Sequence, residues 1–64
     1  MEKTKIIEEA LSKLPLAQRE VVIMKIYGGL TFEEIAEVTE VSINTAASRY
    51  RYAVDKLREL LTKS

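Results

Sequence analysis

Asn44, Thr45, Ser48, Arg49, Arg51 and Tyr52 crowd one short stretch, with Ser42 just ahead of them and Thr31 one element earlier. These side chains are hydrogen-bond donors, acceptors and fixed positive charges. Their chemistry is recognition: neutralising phosphates and reaching the polar edges of bases. Bond-making chemistry is not expected. The 64 residues contain no His and no Cys, so the usual general base, the thiol nucleophile, the zinc site and the disulfide are all missing. There is no Gly-rich phosphate loop, and no run of Asp and Glu has the spacing of a calcium loop. The chain is expected to be a non-enzyme with no metal and no cofactor.

The elements that would carry these residues are helical. The apolar spacing is 3–4 residues almost throughout, and strand-like alternation is absent. A first helix is expected over 4–13, with Ile6, Ile7, Ala10, Leu11 and Leu14 as its stripe. Pro15 suits the first position of a second helix, where its missing N–H costs nothing. That helix runs to about Tyr27 and ends on Gly28-Gly29, which supply a positive φ. Its expected core stripe is Leu16, Ile23, Met24, Ile26 and Tyr27. Val21 and Val22 fall off that stripe. They are either a partner-binding surface or, the favoured reading, covered by the first and last helices.

The third helix has the best-marked start. Thr31 and Glu34 make a capping box, and Leu30 and Ile35 stand at the two positions of a hydrophobic staple. It ends near Val38 or Thr39. Ser42 then caps a fourth helix that continues to about Leu61. Short helix, tight turn, long helix is the helix-turn-helix plan. Ala36 would let the two helices cross closely, and Ile35, Val38, Val41 and Ala46 would lock them. The fold expected is all-α: one small domain over 1–64, four helices, with the helix-turn-helix at the C-terminal end.

Arg49-Tyr50-Arg51-Tyr52 then divides by helical phase. Ala46, Tyr50, Ala53, Val54, Leu57, Leu60 and Leu61 share the inner face. Asn44, Thr45, Ser48, Arg51, Tyr52, Asp55 and Glu59 look outward. Arg49 and Arg51, about 160° apart on an ideal helix, flank the outward face. Asn44, Thr45 and Ser48 are placed to read base edges, because the N-terminal part of a recognition helix enters the major groove. Phase alone also admits a plain solvated face with two arginines. Charge says where nucleic acid would bind. The net charge is zero, but residues 1–40 hold five Lys/Arg against eight Asp/Glu, and residues 41–64 hold five against two. Only the C-terminal third is basic. No stretch has the apolar length of a signal peptide or membrane span, and the absence of Cys fits a reducing cytoplasm.

The ordered set Leu14-Pro15, Arg19-Glu20-Val21, Gly29-Leu30-Thr31-Phe32-Glu33-Glu34-Ile35-Ala36, Thr45-Ala46-Ala47-Ser48-Arg49 and Leu57-Arg58 resembles region 4 of bacterial RNA polymerase sigma factors, the extracytoplasmic-function group in particular. The resemblance covers about three-quarters of the chain. It implies a recognition helix in the major groove of the upstream ("minus 35") promoter element. It also implies docking on the flap of the polymerase β subunit and, as a further partner, an anti-sigma protein. The expected DNA-binding set is Thr31, Ser42, Asn44, Thr45, Ser48, Arg49, Arg51 and Tyr52. Three departures stand out: Ala47 replaces the family's Lys, Glu40 its turn Gly, and Thr39 the Leu before it. They bear on DNA affinity more than on fold. With Arg49, Arg51, Lys56 and Arg58 as phosphate contacts, log K should fall with log salt at a slope of about −3. Region 2, which melts the promoter in that family, is absent from these residues, so an excised domain or a stand-alone relative is expected.

Two other readings compete. A LuxR-type effector domain also combines Glu-Val, Glu-Ile-Ala and a Thr turn, but lacks the Leu-Pro opening and Ser48-Arg49-Tyr50-Arg51. An interaction module that has lost DNA binding would explain Ala47, Glu40 and the zero net charge.

Overall fold

The computed structural model describes residues 3–62. Four α-helices follow in order: α1 (Lys3–Ser12), α2 (Leu16–Val22), α3 (Phe32–Thr39) and α4 (Ile43–Thr62), with a π-helical segment, Ile23–Tyr27, continuing α2. No strand occurs among the described residues. The all-α, four-helix plan is as the sequence indicates.

The connections explain themselves from the backbone. Lys13 and Leu14 N–H groups bond back to the Ala10 and Leu11 carbonyls and tighten the end of α1. Pro15 stands one residue earlier than expected: it is the cap ahead of α2, with ψ 149°, not its first residue. Its carbonyl accepts from the Arg19 N–H at 3.0 Å, so it still feeds the first turn. The Arg19 side chain donates from Nη2 to the Leu14 carbonyl at 3.2 Å and ties the turn down.

The capping box forms in full. Thr31 Oγ1 accepts from the Glu34 N–H at 3.1 Å, and the Thr31 N–H donates to Glu34 Oε1 at 2.8 Å. Thr31→Ala should therefore cost about 1 kcal/mol in a urea melt.

At the other end of α3, the Val41 N–H bonds to the Ala36 carbonyl at 3.0 Å and the Glu40 N–H to the Glu37 carbonyl at 3.3 Å. This is the Schellman pairing. Val41 also packs against the cluster of Val21, Ile35, Ala36 and Ala46. The price is paid at Glu40, the lone non-glycine positive φ among the described residues (φ 58°, ψ 45°). The expected left-handed turn is there, held by a residue with a Cβ. Glu40→Gly should stabilise the domain by about 1 kcal/mol, read as a higher urea midpoint at unchanged slope.

Two apolar clusters share α4 as a wall. Leu11, Leu14, Val22 and Ala53 make one; Val21, Ile35, Ala36 and Ala46 make the other. Tyr50 packs against both. Its ring meets Phe32 edge-on at 5.5 Å, and Lys25 Nζ stands 4.5 Å from the other aromatic's centre, over Phe32. Ala36 and Ala46 are both buried, as a close helix crossing requires.

Three expectations about the core are overturned. On the second helix the faces are largely reversed: Val21 is 0% exposed and Val22 is buried, while Leu16, Ile23, Ile26 and Tyr27 are exposed, Tyr27 at 62%; of the expected stripe Met24 is half-buried and packs against the second cluster. Val21 faces α3 and α4, and Val22 faces α1 and α4, so neighbouring residues are both inside. The favoured reading of the valines holds in its outcome. None of the described helices covers the apolar residues around them. The segment 23–27 also winds with i→i+5 bonds, such as Gly28 N–H to the Ile23 carbonyl at 3.0 Å, which breaks the 100° phase behind the expected stripe. Val38 does not lock the helix pair: it is 64% exposed, near the end of α3, where the packing that buries Ile35 does not reach it. Leu61, expected inside, is exposed, as are Ile6 and Ile7 on α1.

Gly28 and Gly29 close the π-helical segment for separate reasons. Gly29 has φ 69°. A Cβ on Gly28 would stand 2.8 Å from the Met24 carbonyl oxygen and 2.9 Å from Leu30 Cδ1, so a side chain there would push Leu30 off the core and tilt the entry to α3.

Candidate nucleic-acid interface

The start of α4 is built by Ser42. Its Oγ accepts from the Thr45 N–H at 3.1 Å and donates to Thr45 Oγ1 at 2.9 Å. Ser42 is thus occupied as a cap, and Thr45 keeps its own hydroxyl proton for an outside acceptor. Asn44 is exposed; Thr45 and Ser48 are half-buried, at the margin of the helix. Arg49 is half-buried and Arg51 exposed. Tyr52 is 59% exposed, and the Arg51 guanidinium lies 5.8 Å from its ring centre. The phase assigned to Arg49-Tyr50-Arg51-Tyr52 therefore matches: Tyr50 inward, Tyr52 outward.

Electrostatics single out two cations. Lys56 pairs with Glu59 at 3.5 Å and Arg58 with Asp55 at 3.8 Å, all four well exposed. Such pairs contribute little stability, but the two acids offset the charge of that half of α4. Among the described residues no carboxylate comes within ion-pair distance of Arg49 or Arg51. Thr31 is remote in character from this face: its hydroxyl is used in the capping box, and Glu33 and Glu34 occupy the same first turn.

Sequence reasoning missed a second surface. Ile7, Leu11, Val22, Ile26, Tyr27, Leu57 and Leu61 line an apolar groove of about 200 Å³ between α1, the π-helical segment and the end of α4. Its signal in the sequence is Ile26-Tyr27, which the expected stripe places in the core. Among the described residues no group of three or more Asp or Glu could hold a metal ion, and no helix is long and apolar enough to cross a membrane.

Comparison with known proteins agrees with this arrangement. The model of the family "Sigma-70, region 4" matches residues 4–57. The chain is 37% identical over 57 residues to RNA polymerase sigma factor SigV of Bacillus subtilis, covering 89% of this chain and 34% of the relative. It is 40% identical over 50 residues to ECF RNA polymerase sigma factor RpoE of Cereibacter sphaeroides, covering 78% of this chain and 28% of the relative. The chain thus spans about a third of the length of these relatives. No solved structure matches it. With the helix-turn-helix formed and the family model matched over most of its length, the chain belongs to the sigma-70 region 4 family.

Proposed function

We propose that this domain binds the upstream (minus 35) promoter element through the outward face of α4 and docks on the RNA polymerase core, acting in the cytoplasm in transcription initiation. The observation that carries the reading is the pair Arg49 and Arg51, without carboxylate partners, on either side of Asn44, Thr45 and Ser48 at the N-terminal half of a long helix. Two guanidinium groups that straddle a reading face fix a helix to phosphates on both walls of the groove. Asn44, Thr45 and Ser48 then meet base edges, and Tyr52 extends the face. Thr31 and Ser42 contribute hydroxyls secondarily, because both already serve as caps. The apolar groove is the second face. We assign to it the docking on polymerase, by way of the β flap, and an anti-sigma protein would compete for one face or the other.

DNA affinity of the domain alone should be weak. Two unpaired arginines imply about two released counterions, a salt slope of about −2, and dissociation constants of about 10⁻⁴ to 10⁻⁶ M. The pairing of Lys56 and Arg58 lowers the slope from the value expected from sequence. Tethering to polymerase raises the effective concentration and makes weak contacts sufficient. Ala47→Lys should steepen the slope by about one. Fluorescence anisotropy with a duplex at several salt concentrations tests this. Arg49→Ala with Arg51→Ala should abolish the salt-dependent binding, and undiminished binding by that double variant would refute the reading.

A further inference from the structure

We propose that Asp55 is a specificity-determining residue: its carboxylate keeps α4 from lying flat against phosphates, so that only the leading half of the helix enters the groove and random sequence is bound poorly. The inference rests on the reading of α4 as the DNA-facing helix. On an ideal helix Asp55 stands opposite the buried Ala46 and about 20° from both Asn44 and Ser48. It therefore continues the line of side chains assigned to base edges, two turns beyond Ser48. Glu59 follows one turn later, about 40° round. From Ile43 to Val54 the helix carries no acid. The outward line thus runs from neutral donors and acceptors to two carboxylates.

Asp55 is exposed. Its ion pair with Arg58, at 3.8 Å, is long and well exposed on both sides, and such a pair leaves much of the carboxylate's charge to act on other groups. It stands in the interior of α4, where Asp favours the helix less than most residues, so the local structure gains little from it. Asp55 lies about 10 Å along the axis from Ser48, and the major groove is about 12 Å wide. A helix laid flat on the duplex would press this carboxylate against a wall of phosphates. A helix that enters by its N-terminal end lifts it clear. Repulsion between unit charges about 4 Å apart in water corresponds to about a fivefold change in affinity. That penalty falls on the flat, non-specific pose and spares the pose that reads bases.

A duplex enriched from a random library by the 64-residue chain at low salt and random duplex are compared by fluorescence anisotropy at several salt concentrations. Asp55→Asn should tighten binding to random duplex about fivefold and steepen its salt slope by about one, as Arg58 is freed for phosphate. Affinity for the enriched duplex should stay the same, so the preference falls about fivefold. Asp55→Glu, which keeps the charge, should behave as the parent. So should Glu8→Gln, the same change of charge on the exposed part of α1, which separates a local effect from one of net charge. All three variants should melt like the parent, because both sites are exposed. An unchanged preference in Asp55→Asn overturns the proposal, as does an equal fall in Glu8→Gln or a parent that enriches no sequence. Weaker binding of the enriched duplex by Asp55→Asn also overturns it, since the carboxylate would then be accepting from a cytosine amino group. Failure of the parent to bind any duplex overturns the DNA-binding reading itself, and is told apart because random duplex is then not bound either.

Discussion

Ile35→Ala is expected to remove about 4 kcal/mol of stability, the upper part of the range for a buried isoleucine truncated in a core. Ile35 is fully buried, between Val21 of α2, Ala36 of its own helix and Ala46 of α4, with Leu30, Phe32 and Val41 around it. Two of those neighbours are held by turns, Leu30 by the two glycines and Val41 by the Schellman pairing, and Val21, Ala36 and Ala46 are held within helices. The site has little freedom to collapse, so the cavity stays open and the cost is high. A domain of this size has a total stability of only about 3–5 kcal/mol. The variant should therefore be largely unfolded at 25 °C, with most of its circular dichroism at 222 nm lost. Ile35→Val should lose only about 1 kcal/mol. A folded Ile35→Ala domain with a near-parental urea midpoint would contradict the packing described.

The contrast between two tyrosines two residues apart is the second large effect. Tyr50→Ala should cost about 3 kcal/mol, because it removes the edge-on contact with Phe32 and opens both clusters at once. Tyr52→Ala should cost under about 0.5 kcal/mol, since its ring lies on the surface beside Arg51. Urea melts of both variants measure the difference. Equal losses would mean that the phase of α4 is wrong, and with it the assignment of Arg49 and Arg51 to the flanks of the outward face.

Local chemistry made much of this fold legible in the sequence. Thr31 and Glu34 specify a capping box by spacing alone, and it forms. Gly28-Gly29 mark a left-handed turn, and Gly29 has positive φ; the one at Glu40 was legible only through the resemblance, whose turn Gly falls there. The face of α4 was also legible, because a long unbroken helix keeps one phase from Ala46 to Leu57. What failed was the second helix. Its residues are apolar nearly all round, so periodicity did not distinguish the buried valines from the exposed Leu16, Ile23, Ile26 and Tyr27. Only the approach of α1, α3 and α4 selects among them. The π-helical winding after Val22 shifts the phase besides, and no residue in Ile23-Met24-Lys25-Ile26-Tyr27 announces it. Val38 and Leu61 failed for a related reason: a helix near the edge of so small a domain has no partner over part of its apolar stripe. On the interface, the residue types were readable, but the pairing of Lys56 and Arg58 with Glu59 and Asp55 depends on rotamers that spacing alone does not fix. That pairing leaves two arginines, not four cations, to set the salt dependence.

The central claim is that the outward face of α4 meets DNA while the apolar groove on the opposite side of the chain does not. Amide chemical shifts of the labelled domain, followed as duplex DNA is added at low salt, test it most directly. The account predicts the largest shifts from Ile43 to Tyr52, Asn44, Ser48, Arg49 and Arg51 foremost, with Ile7, Ile26, Tyr27 and Leu61 nearly still. Largest shifts along the groove, or shifts spread evenly over all four helices, would contradict it.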